Sequence, residues 1–299
     1  MTPFLFLSGF YVGWNIGAND TANCIGTSVG SGLLSYRGAV YVVALFVIVG
    51  GLLEGHNVAT TIGKGVIHAE LPPLAVLVAL LSAGIFVTLA TTLKLPVSTS
   101  QSIVGAVAGI GLAVGAPVNF GKLLEIVEVW VLNPFLAAAL AYVVYHIVAF
   151  PLRRVRRVGL WDRVVAIMVL ASAAYMAFSL GSNDVANSIG PLVNLGYNMR
   201  LLLLLGGLAL ATGALTYGHR VTQTIGGSIT ILDPLSAFSA QAAAVMGVHL
   251  FSILGIPVST SQAIVGAVVG VGLGKGIRAI SRRATAGAAC CNRGSPEGR

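Results

Sequence analysis

Long apolar runs, separated by short polar breaks, occupy almost the whole of this 299-residue chain. About 20 mostly apolar residues are needed to cross the hydrocarbon core of a bilayer. Runs near that length or longer occur at 3–30, 38–54, 73–93, 96–115 and 126–150, then at 162–190, 201–217, 235–255 and 256–274. They predict an all-α polytopic membrane protein. No basic stretch precedes the first run, and the apolar pattern continues beyond it, so it reads as a membrane segment and not as a cleaved leader. Between the two sets lies PLRRVRRVGLWDR, the most charged stretch, with Arg153, Arg154, Arg156, Arg157 and Arg163. The expected organisation is a first transmembrane repeat at 1–150, a basic cytoplasmic linker at 151–163, a second repeat at 164–280 and a disordered tail at 281–299.

The two sets are copies. GANDTANCIG (17–26) matches GSNDVANSIG (181–190) at 7 of 10 positions, at an offset of 164. LPVSTSQSIVGAVAG (95–109) matches IPVSTSQAIVGAVVG (256–270) at 12 of 15, at an offset of 161. Gly55-His56 pairs with Gly218-His219, and Arg37 with Arg200, at 163. Ordered blocks at a nearly constant offset mean internal duplication, which in a membrane chain of this size points to transporters. If each half makes five crossings, an odd number, the halves are inverted. Loop charge agrees: the stretch after 274 carries Lys275, Arg278, Arg282 and Arg283, while its counterpart at 116–122 carries only Lys122. Reading 96–115 and 256–274 as re-entrant hairpins would change the count. The first half continues into the apolar run LLEIVEVWVLNPFLAAALAYVVYHIVAF. The second continues into SRRATAGAACCNRGSPEGR, so the last helix of the second repeat is expected to be missing.

Composition removes whole classes of function. Hydrophobic residues make up 56% of the chain and charged residues 9%, with a mean hydropathy of +0.92. Soluble domains carry roughly a quarter charged residues, so a soluble enzyme, a disordered chain and a nucleic-acid binder are excluded. The net charge of +8 sits in loops and linker rather than on a binding face. Cys24, Cys290 and Cys291 have neither disulfide-framework nor zinc spacing.

Against so few charges, two acids stand out. Asp20 and Asp184 occupy equivalent places in apolar segments, each in a G-x-N-D-x-A-N block. A carboxylate at membrane depth costs roughly 3 kcal/mol on insertion scales and normally faces a polar pathway. The plainer reading is a helix cap or an interfacial acid. Asp20 and Asn23 are spaced i, i+3, as are Asp184 and Asn187, so each pair shares a helix face. Asn19 and Asn183 flank them. Gly17 and Gly181 are expected to permit unwound backbone. Carboxylate, amide oxygen and freed carbonyls make a hard-oxygen setting for Na⁺, with Asp20 and Asp184 as its ligands, or for a proton on the Asp.

The second repeated motif is P-V-S-T-S-Q, at 96–101 and 257–262. Proline followed by hydroxyl residues marks a helix N-terminus. Ser98, Thr99, Ser100 and Gln101, and again Ser259, Thr260, Ser261 and Gln262, would add donors to free N–H groups at the positive end of a helix dipole, an anion cradle with no fixed charge. The plainer reading is an N-cap with small-residue packing. Neither motif contains Lys or Arg, so cations held at Asp20 and Asp184 would supply the missing positive charge. The pattern fits cation-coupled anion symport. His56 and His219 leave open a gating role or an interfacial one. Glu54 is expected to pair with Lys64 or to sit at a boundary, and His68, His146 and His249 look isolated. No nucleophile–base pair or metal cluster supports an enzyme, and a channel has no need of paired membrane carboxylates.

At GANDTAN, GSNDVAN and the two PVSTSQ blocks the chain resembles the inorganic phosphate transporter (PiT) family over about residues 3–280. The resemblance implies two inverted repeats with broken helices or re-entrant hairpins, and a multi-pass plasma-membrane carrier. It would import inorganic phosphate with Na⁺ or H⁺ by alternating access, without a cofactor. It nominates Asn23 and Asn187, with the two Ser-Thr-Ser-Gln runs, for phosphate, and Asp20, Asp184, Asn19 and Asn183 for cation coupling. It also implies a possible homodimer. A permease for sulfate or another tetrahedral oxyanion on the same fold is the alternative.

Overall fold

The computed structural model describes residues 1–30, 35–93, 97–152, 158–219 and 233–275. The first repeat forms α1 (Thr2–Gly30), α2 (Tyr36–Thr60), α3 (Pro73–Thr92), α4 (Thr99–Ala113) and α5 (Phe120–Leu152). The second forms α6 (Val158–Leu180), α7 (Ala186–Val193), α8 (Met199–Thr216), α9 (Pro234–Ile253) and α10 (Thr260–Lys275). A π turn at Thr61–Gly65 prolongs α2, and another at Gly181–Val185 joins α6 to α7. Helix starts follow from local chemistry. Ser35, Asn198 and Asp233 cap α2, α8 and α9 with their side-chain oxygens. Pro73 and Pro234 open α3 and α9, where a missing N–H costs nothing. Among the described residues, six helical stretches are long and apolar enough to cross a membrane.

Among the described residues, α4 and α10 are too short to cross. With 15 and 16 residues they reach about 22 and 24 Å at 1.5 Å per residue, against a core of about 30 Å. Each folds back on the helix before it, α4 on α3 and α10 on α9. Gly255, at φ +73°, lets the chain leave α9 in the left-handed region. The expected crossings at 96–115 and 256–274 are therefore the inner arms of two re-entrant hairpins. Taking both arms of a hairpin out of the count leaves α1, α2 and α5 in the first half, three crossings and still odd, so the inversion stands. The second half, whose runs number four, keeps the α6–α7 pair and α8. Asp20 lies 30 − 20 = 10 residues before the end of α1, and Asp184 lies 193 − 184 = 9 residues before the end of α7. At 1.5 Å per residue these are about 15 and 14 Å from helix ends that inversion puts on opposite faces. Both carboxylates thus sit near the midplane, where the hairpin tips also arrive.

The repeats interlock. α1 packs on α8 and α2 on α6, each pair drawing one helix from either half. Glycines let these backbones touch. A Cβ on Gly17 would fall on the Leu210 carbonyl, and one on Gly213 on that of Trp14. At the equivalent crossing, Gly50 meets the Phe178 carbonyl and Gly181 that of Val47. This corrects the expectation of unwound backbone: α1 runs straight through Gly17, and Gly181 opens a π turn. Both glycines serve close approach.

Repeat symmetry also fails around the inner hairpin arms. Gly266 and Gly270 of α10 press on the Pro134 and Ala138 carbonyls of α5, whereas a Cβ on their counterparts Gly105 and Gly109 of α4 would meet nothing within 4 Å. Among the described residues, α4 has no helix in the position that α5 takes on α10. The linker arginines Arg153, Arg154, Arg156 and Arg157, the stretch 220–232 and the tail lie outside the described residues.

Candidate functional site

The two Asp motifs and the two hairpin tips converge. Asp20, 1% exposed, accepts on Oδ1 from Asn23 (3.1 Å) and Asn19 (3.4 Å), and on Oδ2 from the Thr99 hydroxyl (3.1 Å). The predicted i, i+3 pairing thus exists as a bond. Asn23 also donates to Ser261 of the second tip at 3.0 Å. Asp184 is fully buried and accepts on Oδ1 from Asn187 (2.6 Å), Asn183 (2.9 Å) and Ser100 (3.4 Å). Thr99 and Ser100, neighbours in one helix turn, therefore hold one carboxylate each. The π turn at Gly181–Val185 widens the helix by a residue where Asp184 stands, a distortion that often marks functional positions.

The tips also hold each other. Ser100 donates to the Val258 carbonyl at 2.8 Å and accepts from Asn187 at 2.8 Å. Asn183 makes a two-way bond with Val258, donating to its carbonyl (2.8 Å) and accepting from its N–H (3.1 Å). Ser98 and Ser259 behave as the plainer reading expects: their oxygens accept from the N–H of Gln101 and Gln262, both at 3.3 Å, and cap the inner arms. Thr260 is buried beside Ser259. Two residues of α5 support the second tip and escaped sequence reasoning. Trp130 donates to the Pro257 carbonyl (2.8 Å) and Asn133 to that of Ser259 (3.3 Å). The signal available was an Asn-Pro step within the apolar run of α5.

Four side-chain oxygens of the site, Asp184 Oδ2, Asn187 Oδ1, Gln262 Oε1 and Asn133 Oδ1, are buried without a hydrogen-bond donor among the described residues. Buried acceptors of this kind ordinarily find a partner, and oxygens beside a carboxylate suit a hard cation. The donors in the same space, amides and hydroxyls at helix N-termini, suit an anion. Glu54 bonds to His249 and not, as expected, to Lys64, and His249 is not isolated. His219 stacks edge-on against Tyr36 at 4.9 Å.

The family profile described as "Phosphate transporter family" matches residues 16–290, nearly the whole chain. The chain belongs to this family. A Chlamydia pneumoniae protein named "Putative phosphate permease" is 31% identical, the alignment covering 93% of this chain and 91% of the relative. The Arabidopsis thaliana "Inorganic phosphate transporter 2-1, chloroplastic" is 29% identical, covering 92% of this chain and 66% of the relative. The solved structure of a protein named "The sodium-dependent phosphate transporter" superposes with a TM-score of 0.84 at 26% identity, covering 95% of this chain and 93% of that one. The chain is thus a membrane-embedded phosphate transporter and not an enzyme. All these names speak for phosphate over the sulfate reading.

Proposed function

We propose that this chain imports inorganic phosphate across the plasma membrane together with Na⁺, releasing it by alternating access at the hairpin tips. The observation that carries this reading is that Asp184 Oδ2 and Asn187 Oδ1, on two residues bonded to each other, are buried with no hydrogen-bond donor among the described residues. A cation there completes the oxygens and offsets the charge of Asp184. Asp20, held by Thr99 and Asn23, offers a second such place in the other repeat. Phosphate lies between the N-termini of α4 and α10, where Thr99–Gln101 and Thr260–Gln262 present N–H and hydroxyl donors. With no Lys or Arg among these residues, the bound cations provide the countercharge, which makes transport obligatorily coupled. Sodium is favoured over the proton by the all-oxygen surroundings and by the sodium dependence for which the structural neighbour is named.

Motion follows the packing. Each hairpin tip is held to the Asp motifs by a handful of side-chain bonds, while α1–α8 and α2–α6 are locked backbone to backbone. The hairpins move against a fixed core of both repeats; the two halves do not rock as units. The test is ³²P-phosphate uptake in proteoliposomes under imposed Na⁺ or pH gradients. Uptake driven by inward Na⁺, and lost in Asp184→Asn, is expected. Uptake that follows the proton gradient alone would overturn the sodium assignment.

A further inference from the structure

Away from the phosphate site, three titratable side chains from three elements meet. Tyr175 Oη of α6 lies 2.6 Å from Nδ1 of His249 on α9, and His249 Nε2 lies 2.6 Å from Glu54 Oε2 on α2. Phe178 packs edge-on against the imidazole at 5.6 Å between centroids. With the imidazole neutral, Tyr175 donates to Nδ1 and Nε2–H donates to Glu54, leaving the cluster at −1. A proton on Nδ1 reverses the first bond, so that His249 donates to the tyrosine oxygen, and leaves a neutral ion pair with Glu54. Both states keep the two bonds to His249 in one geometry. The histidine and glutamate side chains are 16% and 29% exposed, so the cluster is not sealed inside the protein.

The internal repeat shows what is special here. An offset of 164 takes Tyr175 to Tyr11, and one of 161 takes His249 to Thr88. Tyr11 and Thr88 bond at 2.6 Å, and Thr88 donates to Asn15 at 2.8 Å. The counterpart of Glu54 is Tyr217. The same joint, outer hairpin arm against the first helix of its own repeat, is thus built without acid or imidazole in the first repeat and with both in the second. Glu128 of α5 is exposed, and other charged groups on the elements packed against α9 are engaged elsewhere. Lys275 of α10 pairs with Asp233 at the far end. Asp184 of the π turn and Asp20 of α1 hold the tips, and Lys122 of α5 pairs with Glu125. Opposite α9, α5 presents the uncharged Asn133, close to Gly247.

We propose that Tyr175, His249 and Glu54 form a proton-binding site that latches the outer arm of the second hairpin to the α2–α6 scaffold. Protonation turns one neutral hydrogen bond into a charge-assisted one, so acid tightens this hairpin and leaves the first unaffected. The inference goes beyond phosphate transport, and its test does not depend on it. Amide hydrogen exchange of the full chain in nanodiscs is compared at pH 5.5 and 8.0, each corrected for intrinsic rate. Peptides of α9 should be protected several-fold more at pH 5.5, while those of α3 show no difference. His249→Thr, the residue of the other repeat, should erase the α9 difference. So should Glu54→Gln, which keeps the hydrogen-bonding shape should the first variant fold poorly. No difference in the parent chain, or one that survives both substitutions, overturns the proposal.

Discussion

Asp184 turns one oxygen toward three donors and the other, among the described residues, toward none. A residue so placed gains most when a cation arrives, so ligand binding should register as stability. A ligand at 100 times its Kd adds about 2.7 kcal/mol to the folded state. The sodium-dependent rise in unfolding temperature of detergent-solubilised protein should therefore shrink markedly in Asp184→Asn, while the sodium-free protein unfolds no lower than the parent. Ser100 is the complementary case. It touches Asp184, Asn187 and the opposite tip, so Ser100→Ala leaves one N–H of the buried Asn187 amide without its acceptor, at about 1–3 kcal/mol, and removes a bond between the tips. Phosphate uptake should fall at least tenfold in that variant. Both residues were visible in the sequence because duplication marked them. Glu54, His249 and Tyr175 were not visible: they come from three distant segments, and Thr88 stands where the repeat would have needed a second histidine to make a pattern.

The helices show the same division between what pattern reveals and what packing decides. Apolar runs located nearly every helix, yet hydropathy alone could not separate a crossing from a hairpin arm. That distinction rests on where the Thr99 and Val258 tips come to lie. Glycines were likewise visible as composition, but their work was not. Gly181→Ala should destabilise the protein by roughly 1–3 kcal/mol through overpacking against Val47. Gly109→Ala, with open space around it, should be neutral or stabilise by up to about 1 kcal/mol from helix propensity. Thermal unfolding of the two variants side by side checks the contrast. At the mouth of the second hairpin, Asp233 caps α9 and pairs with Lys275 of α10. Burial raises its pKa, but the hydrogen bond and charge of Lys275, with the Ser236 bonds, outweigh that and hold it below its ordinary 3.8. A depressed carboxyl contributes stability above its unfolded value and loses it as pH falls through the folded one. Acidification below the ordinary carboxylate range should thus cost the parent more stability than Asp233→Asn, which keeps the cap.

At the level of the whole molecule, the interlocking of α1 with α8 and α2 with α6 predicts which cross-links are tolerated. A reducible cross-link made with a short bis-methanethiosulfonate reagent between Trp14→Cys and Thr216→Cys, whose parent side chains bond at 2.9 Å across α1 and α8, should leave uptake within about twofold. One between Tyr11→Cys and Thr88→Cys, which ties the first hairpin to α1, should abolish uptake until reduced. Equal sensitivity of the two would mean that the core moves as well.

The α1–α8 contact also sets an order of assembly. Gly17 and Trp14 find their partners only once Leu210 and Gly213 exist, about 200 residues later in synthesis. At 5–20 residues per second that is a delay of roughly 10–40 s. Through it α1 waits in the bilayer with Asp20 lacking the Ser261 side of its pocket, at an insertion cost of about 3 kcal/mol. The first helix made is thereby among the last to be finished, and a ribosome stalled before α8 leaves behind a chain whose earliest segment is the one most in need of capture by a membrane chaperone.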